Sequence, residues 1–259
     1  YVITGEKQNL FSVSFKIRDK KHPSEFKNLS GESFINWLEE NGYEDIVMES
    51  FYRQIIVATL SDFCHFVYEG LKCSEKGKTT VAFALFRKPF KENLLFFEWL
   101  LGDPVEFMKV FYTKETSRYT IDKILKEEKI QIIANSIDKI WPQERFFNED
   151  YIYKLRYAKK CAYGFENYWQ RATHLVTSFR EIKTEPHNLN FIFSNYEDKE
   201  SQWEFIYLMV PMLLYYTLNV VEHLFLNIAE FDSFYSNIES LRRTMNFIFW
   251  AHEEIVKVD

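Results

Sequence analysis

The 259-residue chain is long enough to bury a substantial core as one large domain or two smaller ones, and no linker forces a split. Only 7 glycines and 6 prolines accompany 47% hydrophobic and 27% charged residues, too little turn material for a β-sandwich. A net charge of −6 provides no global attraction to phosphate backbones or anionic membranes, so a nucleic-acid role needs a local basic site.

Phe11-Ser-Val-Ser-Phe-Lys-Ile-Arg18 alternates apolar and polar residues, the period of a half-buried strand, and Leu189-Asn-Phe-Ile-Phe193 is the comparable segment. Together they predict a minor two-stranded β element, with residues 1–30 as a strand-containing segment ahead of an all-α, multi-helix bundle over 31–259. The basic run Arg18–His22 reads as a solvated loop.

From Gly31 the period becomes helical. A short helix is predicted over Glu32–Glu40, stopped by Asn41-Gly42, and a long one from Glu44 to Lys72. Tyr52, Ile56, Phe63 and Val67 share one face of the long helix, while Asp62, His65 and Glu69 fall together on its edge. Their spacing could converge on a metal, but no second matching motif completes a ligand set, so the reading is a hydrogen-bonded cluster with no metal and no cofactor. Cys64 and Cys73 would lie ~13 Å apart along this helix, beyond disulfide reach. Cys161 is expected to be a core residue. The absence of a C-x-x-C pair points to a reducing, cytoplasmic compartment, and no signal-peptide pattern follows Tyr1.

The next helix, Thr79–Leu101, is apolar nearly all round and therefore central, with Pro89 expected to kink or divide it. Arg87 within it needs an acidic partner, for which Asp62 or Glu69 is expected because Glu98 lies ~16 Å away along the axis. Asp62, His65, Glu69, Arg87 and Glu98 thus form the expected polar core cluster.

Further helices are predicted over Pro104–Tyr112, Thr120–Trp141, Glu149–Ala162, Phe165–Phe179, Glu200–Ala229 and Asp232–Lys257. The uncharged run Phe205–Val221 reaches the lower length of a membrane span but contains Pro211 and polar residues, so it is read as a buried core helix with no membrane partner. The final helix repeats Phe234, Ile238, Leu241, Met245, Ile248, His252 and Ile255 in steps of four and three, a coiled-coil seam that predicts a homodimer or an intramolecular neighbour.

The helix Phe165–Phe179 divides into an apolar face (Phe165, Tyr168, Trp169, Ala172, Leu175, Val176 and Phe179) and a polar face of Asn167, Arg171, His174 and Ser178. An arginine and a histidine three apart can polarise a phosphate and exchange a proton, which suits phosphodiester cleavage; the alternative is a solvated face. His187 follows Pro186 closely enough to join them if the chain turns back. No phosphate loop, dinucleotide fingerprint, nucleophile elbow or H-E-x-x-H motif is present.

The run Phe83–Leu101, with Asn167–His174 on a later polar face, resembles bacterial proteins of the HEPN-like helical superfamily. The resemblance implies a dimeric helical bundle and, in active members, metal-independent RNA cleavage by an Arg and a His separated by four to six residues. Arg171 and His174 have two residues between them, and Arg180 and His187 have six but span Pro186, so both depart from that pattern. The expected functions are an RNase or defence and toxin-type effector domain acting through Arg171, His174 and His187 on RNA, or a non-enzymatic interaction or scaffold module that dimerises.

Overall fold

A computed structural model describes residues 12–14, 29–112, 116–140, 146–178, 182–229 and 233–258. The fold is all-α: α1 (Glu32–Glu40), α2 (Glu44–Glu75), α3 (Thr79–Lys88), α4 (Leu94–Gly102), α5 (Pro104–Tyr112), α6 (Lys126–Ile137), α7 (Glu149–Tyr157), α8 (Phe165–Thr173), α9 (Tyr196–Ile228) and α10 (Ser233–Val258). No strand occurs among the described residues. Leu189–Phe193 forms turns in place of the expected strand, and all but residues 12–14 of its expected partner Phe11–Arg18 lie outside the described residues.

The nearly continuous helix formed by α3 and α4 is the centre. Phe83, Phe86, Phe90, Leu94, Leu95, Phe97 and Leu100 are fully buried, and α2 presents Tyr52, Ile56, Phe63 and Val67 to them as its periodicity requires. Each such side chain contributes ~1.5–3 kcal/mol on leaving water, and the T-shaped pair Phe63–Phe90, with ring centroids 5.6 Å apart, adds quadrupole complementarity. Gly70 lets α2 approach: a Cβ there would lie 2.5 Å from the Phe86 ring.

Pro89 divides the central helix through one wide π-turn, Pro89–Asn93, closed by Leu94 N–H to the Pro89 carbonyl. The proline ring crowds the turn before it and lacks an N–H, so the backbone widens while keeping its helical sense. That widening corrects the partner expected for Arg87. Its guanidinium reaches Glu92, five residues on, at 3.1 Å, and meets neither Asp62 nor Glu69.

Two expected helices are shorter. Thr120–Trp141 becomes 3₁₀ turns followed by α6, because Ile124 and Leu125 are extended and Ile121 and Ile124 bury their side chains at the three-residue period. Glu149–Ala162 stops at Tyr157, where Ala158 turns extended. Helix α9 instead begins earlier, at Tyr196: Asn195 accepts from the Asp198 N–H and Asp198 accepts from the Asn195 N–H, a reciprocal cap. Among the described residues α9 is the helix long and apolar enough to cross a membrane, and 56% of its most apolar window is buried in the bundle. Leu213, Tyr216, Val220 and Leu224 are wholly enclosed.

Candidate functional site

The polar residues sort into a sealed interior and an open surface. The interior begins with Glu98 on α4, whose carboxylate accepts from Arg156 Nη1 at 2.6 and 2.7 Å, with both side chains 0% exposed. Arg156 Nε donates to the Phe90 carbonyl at 2.7 Å and its Nη2 to the Tyr157 hydroxyl at 2.8 Å, which in turn donates to the Lys91 carbonyl. Both carbonyls belong to the π-turn, so consecutive residues at the end of α7 clasp the segment that Pro89 widened. Burial drives the Glu98 carboxyl upward while Arg156 opposes it; for Arg156 burial acts downward and Glu98 outweighs it. Burial and then Glu98 raise the Tyr216 phenol far above its ordinary value, yet its hydroxyl and that of Ser136 find no partner within hydrogen-bond geometry.

One layer outward, Lys91 Nζ donates to both Glu166 oxygens at 3.1 and 3.0 Å, their side chains 6% and 5% exposed. Gln170 donates to the same carboxylate at 2.9 Å, and Asp122 stands 3.8 Å from Lys91. The interior network of Lys91, Arg156, Tyr157 and Glu166 was missed in the sequence. Glu166 and Gln170 stand one turn apart on α8, but no spacing in the sequence marks Lys91, Arg156 or Tyr157 as partners.

The expected cluster on α2 does not form. Asp62 pairs with Lys88 at 2.8 Å and accepts from Asn93 Nδ2 at 2.8 Å, whereas His65 and Glu69 are exposed. Burial acts upward on the Asp62 carboxyl, but the Lys88 and Asn93 hydrogen bonds together outweigh it and hold it below its ordinary value.

Helix α8 ends at Thr173, six residues short of the expected Phe179, which lies outside the described residues. His174 is extended, at φ −132° and ψ 131°. Side chains beyond it offer the backbone an alternative to the helix: Thr177 N–H donates to Thr184 Oγ1, the Thr177 hydroxyl to the Ile182 carbonyl, and Asn190 Nδ2 to the His174 carbonyl. Leu175 and Val176, expected on the apolar face, are consequently 61% and 60% exposed.

This break parts the expected catalytic residues. Arg171 lines a cleft of about 300 Å³ with Tyr168, Lys183, Glu185, Phe191, Phe193 and Ser201. His174 lines a separate cleft of about 570 Å³ with Asp122, Lys159, Glu166 and Gln170, over the Lys91 ion pair. His187 is exposed, lines neither, and has a left-handed backbone (φ 63°), as does Phe191 (φ 55°). Such conformations are uncommon outside glycine and here flank the Asn188–Asn190 wall of the smaller cleft.

The other open feature is α10. Phe234, Ile238, Leu241, Met245 and Ile248 are between 40 and 74% exposed, and Phe249 beside them is 60% exposed. The helix docks on α9 through a different face: Thr244 hydrogen-bonds Tyr215 at 2.8 Å, Phe247 stacks on Tyr215 with centroids 4.1 Å apart, and Arg243 pairs with Glu222. Comparison with known proteins matches this chain to no family model, no curated protein and no solved structure.

Proposed function

We propose that the chain is a helical interaction module that assembles as a two-fold dimer through α10. The observation that carries this reading is the row Phe234, Ile238, Leu241, Met245 and Ile248, exposed along its whole length while the docking face of the same helix is already satisfied on α9. Alternating four- and three-residue steps suit a second helix, because they keep an apolar stripe in register with an identical stripe. The same helix then supplies both halves of the contact, as an isologous interface requires. Exposed His252 falls within the stripe.

RNA cleavage by Arg171 with His174 or His187 is the less favoured reading. A phosphodiester would have to meet both an arginine and a proton-transferring histidine, and the two histidines lie outside the Arg171 cleft. The burial of Leu213, Tyr216 and Val220 supports reading α9 as a core helix.

Sedimentation tests the assembly directly. The wild-type chain is expected at twice its chain mass at micromolar concentration, and Leu241→Glu with Ile248→Glu at the single-chain mass with unchanged helix content. A monomeric wild type, or a double variant that unfolds, overturns the reading. An RNase assay of wild type against Arg171→Ala and His174→Ala separates the second reading, since activity lost in both variants would restore it.

A further inference from the structure

The cleft beside Arg171 is polar, but most of its polar groups are already committed. Thr184 and Asn190 hold the loop, Asn188 Oδ1 accepts from Leu189 N–H, Ser194 donates to the Phe191 carbonyl, Gln202 accepts from Thr79, and Asp198 caps α9. Five lining side chains remain with no hydrogen bond or ion pair among the described residues: Tyr168, Arg171, Lys183, Glu185 and Ser201. Arg171 Nε is also buried without an acceptor. That N–H has lost water without gaining a partner while the half-exposed guanidinium keeps its outer nitrogens open, and an incoming anion can engage both.

The pattern is more selective than an anion sink. Arg171 and Lys183 line the same cleft as Glu185 and Asp198, so a bare anion meets no net charge, whereas a ligand with both an anionic group and hydroxyl donors meets complementary partners. Phe193, 66% exposed at the rim, adds an unoccupied ring face. Tyr168 does not supply that face, because its ring already stacks against Phe83 at 4.6 Å and Phe205 at 4.1 Å. A volume of about 300 Å³ fits one small ligand.

We propose that this cleft binds a nucleotide: phosphate on Arg171 and Lys183, ribose hydroxyls on Glu185, and base against Phe193. The geometry is independent of the α10 interface, so loss of either leaves the other standing. A free nucleoside monophosphate and the terminal nucleotide of an RNA carry the same chemistry.

Calorimetric titration of the full chain with AMP, inorganic phosphate, adenosine and a short 5′-phosphorylated oligoribonucleotide tests the proposal. AMP is expected to bind with Kd of ~1 mM or tighter. Phosphate and adenosine are each expected to bind at least ~10-fold more weakly, since each engages only part of the cleft. Arg171→Gln and Lys183→Gln are expected to weaken AMP by ~10-fold or more. Phe193→Ala is expected to weaken AMP while leaving phosphate unchanged, through loss of stacking. Lys183 and Phe193 are exposed, so these variants keep the test valid if Arg171→Gln folds poorly. An oligoribonucleotide that binds ~10-fold tighter than AMP identifies an RNA end as the source; equal or weaker binding identifies the free nucleotide. No binding of AMP or the oligonucleotide, phosphate binding as tightly as AMP, or affinity unchanged in Lys183→Gln overturns the proposal.

Discussion

Arg156 and Arg171 stand on successive helices, and their surroundings treat the same guanidinium in opposite ways. Around Arg156 two carboxylate oxygens, a carbonyl and a phenol give every guanidinium nitrogen an acceptor, and the side chain is 0% exposed. Around Arg171 no described residue accepts, although Glu185 and Asp198 line the same cleft. A buried charge persists only when its partners are built in, so the first site fixes the register of α4 against α7; the second is half-exposed and keeps solvent in place of a partner. The π-turn at Pro89 links this difference to the sequence, because the widened backbone offers the Phe90 and Lys91 carbonyls that hold α7 in place.

Removing one partner at the sealed site carries the largest expected cost. Arg156→Met leaves Glu98 buried and unpaired, and urea denaturation is expected to show a loss of ~3–5 kcal/mol. Adding Glu98→Leu to that variant is expected to restore most of the loss, because the uncompensated charge is then gone. A single variant as stable as wild type would place Arg156 with Arg171 as a dispensable charge.

The Lys91–Glu166 pair lies one layer nearer the surface and keeps Gln170 as a second donor to the carboxylate. Lys91→Met is accordingly expected to cost less, ~1–3 kcal/mol. A loss as large as that of Arg156→Met would extend the sealed interior to the floor of the His174 cleft.

Asp62 is paired and only half-buried, which makes it the intermediate case. Its folded pKa lies below the ordinary 3.8, so its stabilising contribution is present above that value and is lost as pH falls through the folded pKa. Asp62→Asn is expected to cost ~0.2–1 kcal/mol at neutral pH, with the difference from wild type shrinking as pH falls below about 4 and lost once the folded pKa is passed. Denaturation midpoints of both proteins across that range check the sign; a gap that widened in acid would refute it. Arg171→Gln is expected to have the smallest effect, within ~0.5 kcal/mol of wild type, since no internal partner is lost.

Much of the fold was legible because hydrophobic period is a local property. The face Tyr52, Ile56, Phe63, Val67, the central apolar helix with its break at Pro89, and the α10 stripe all follow from spacing that a helix converts directly into faces. The over-long α8 shows where that logic stops. Leu175, Val176 and Phe179 continue a helical period, yet Thr177 and Thr184 divert the backbone with hydrogen bonds across a loop, and no window along the sequence reveals which distant group a threonine will choose. The ion partners were decided in the same way. Arg87 and Glu92 became neighbours only through the wide turn, and Glu98 met Arg156 from a helix 58 positions away. The sequence by itself determined that the chain is helical, aromatic-cored and marked by one apolar stripe near its end, because these are sums over near neighbours. Tertiary structure alone decided which charges were sealed and which were left open, because burial and pairing depend on what packs opposite.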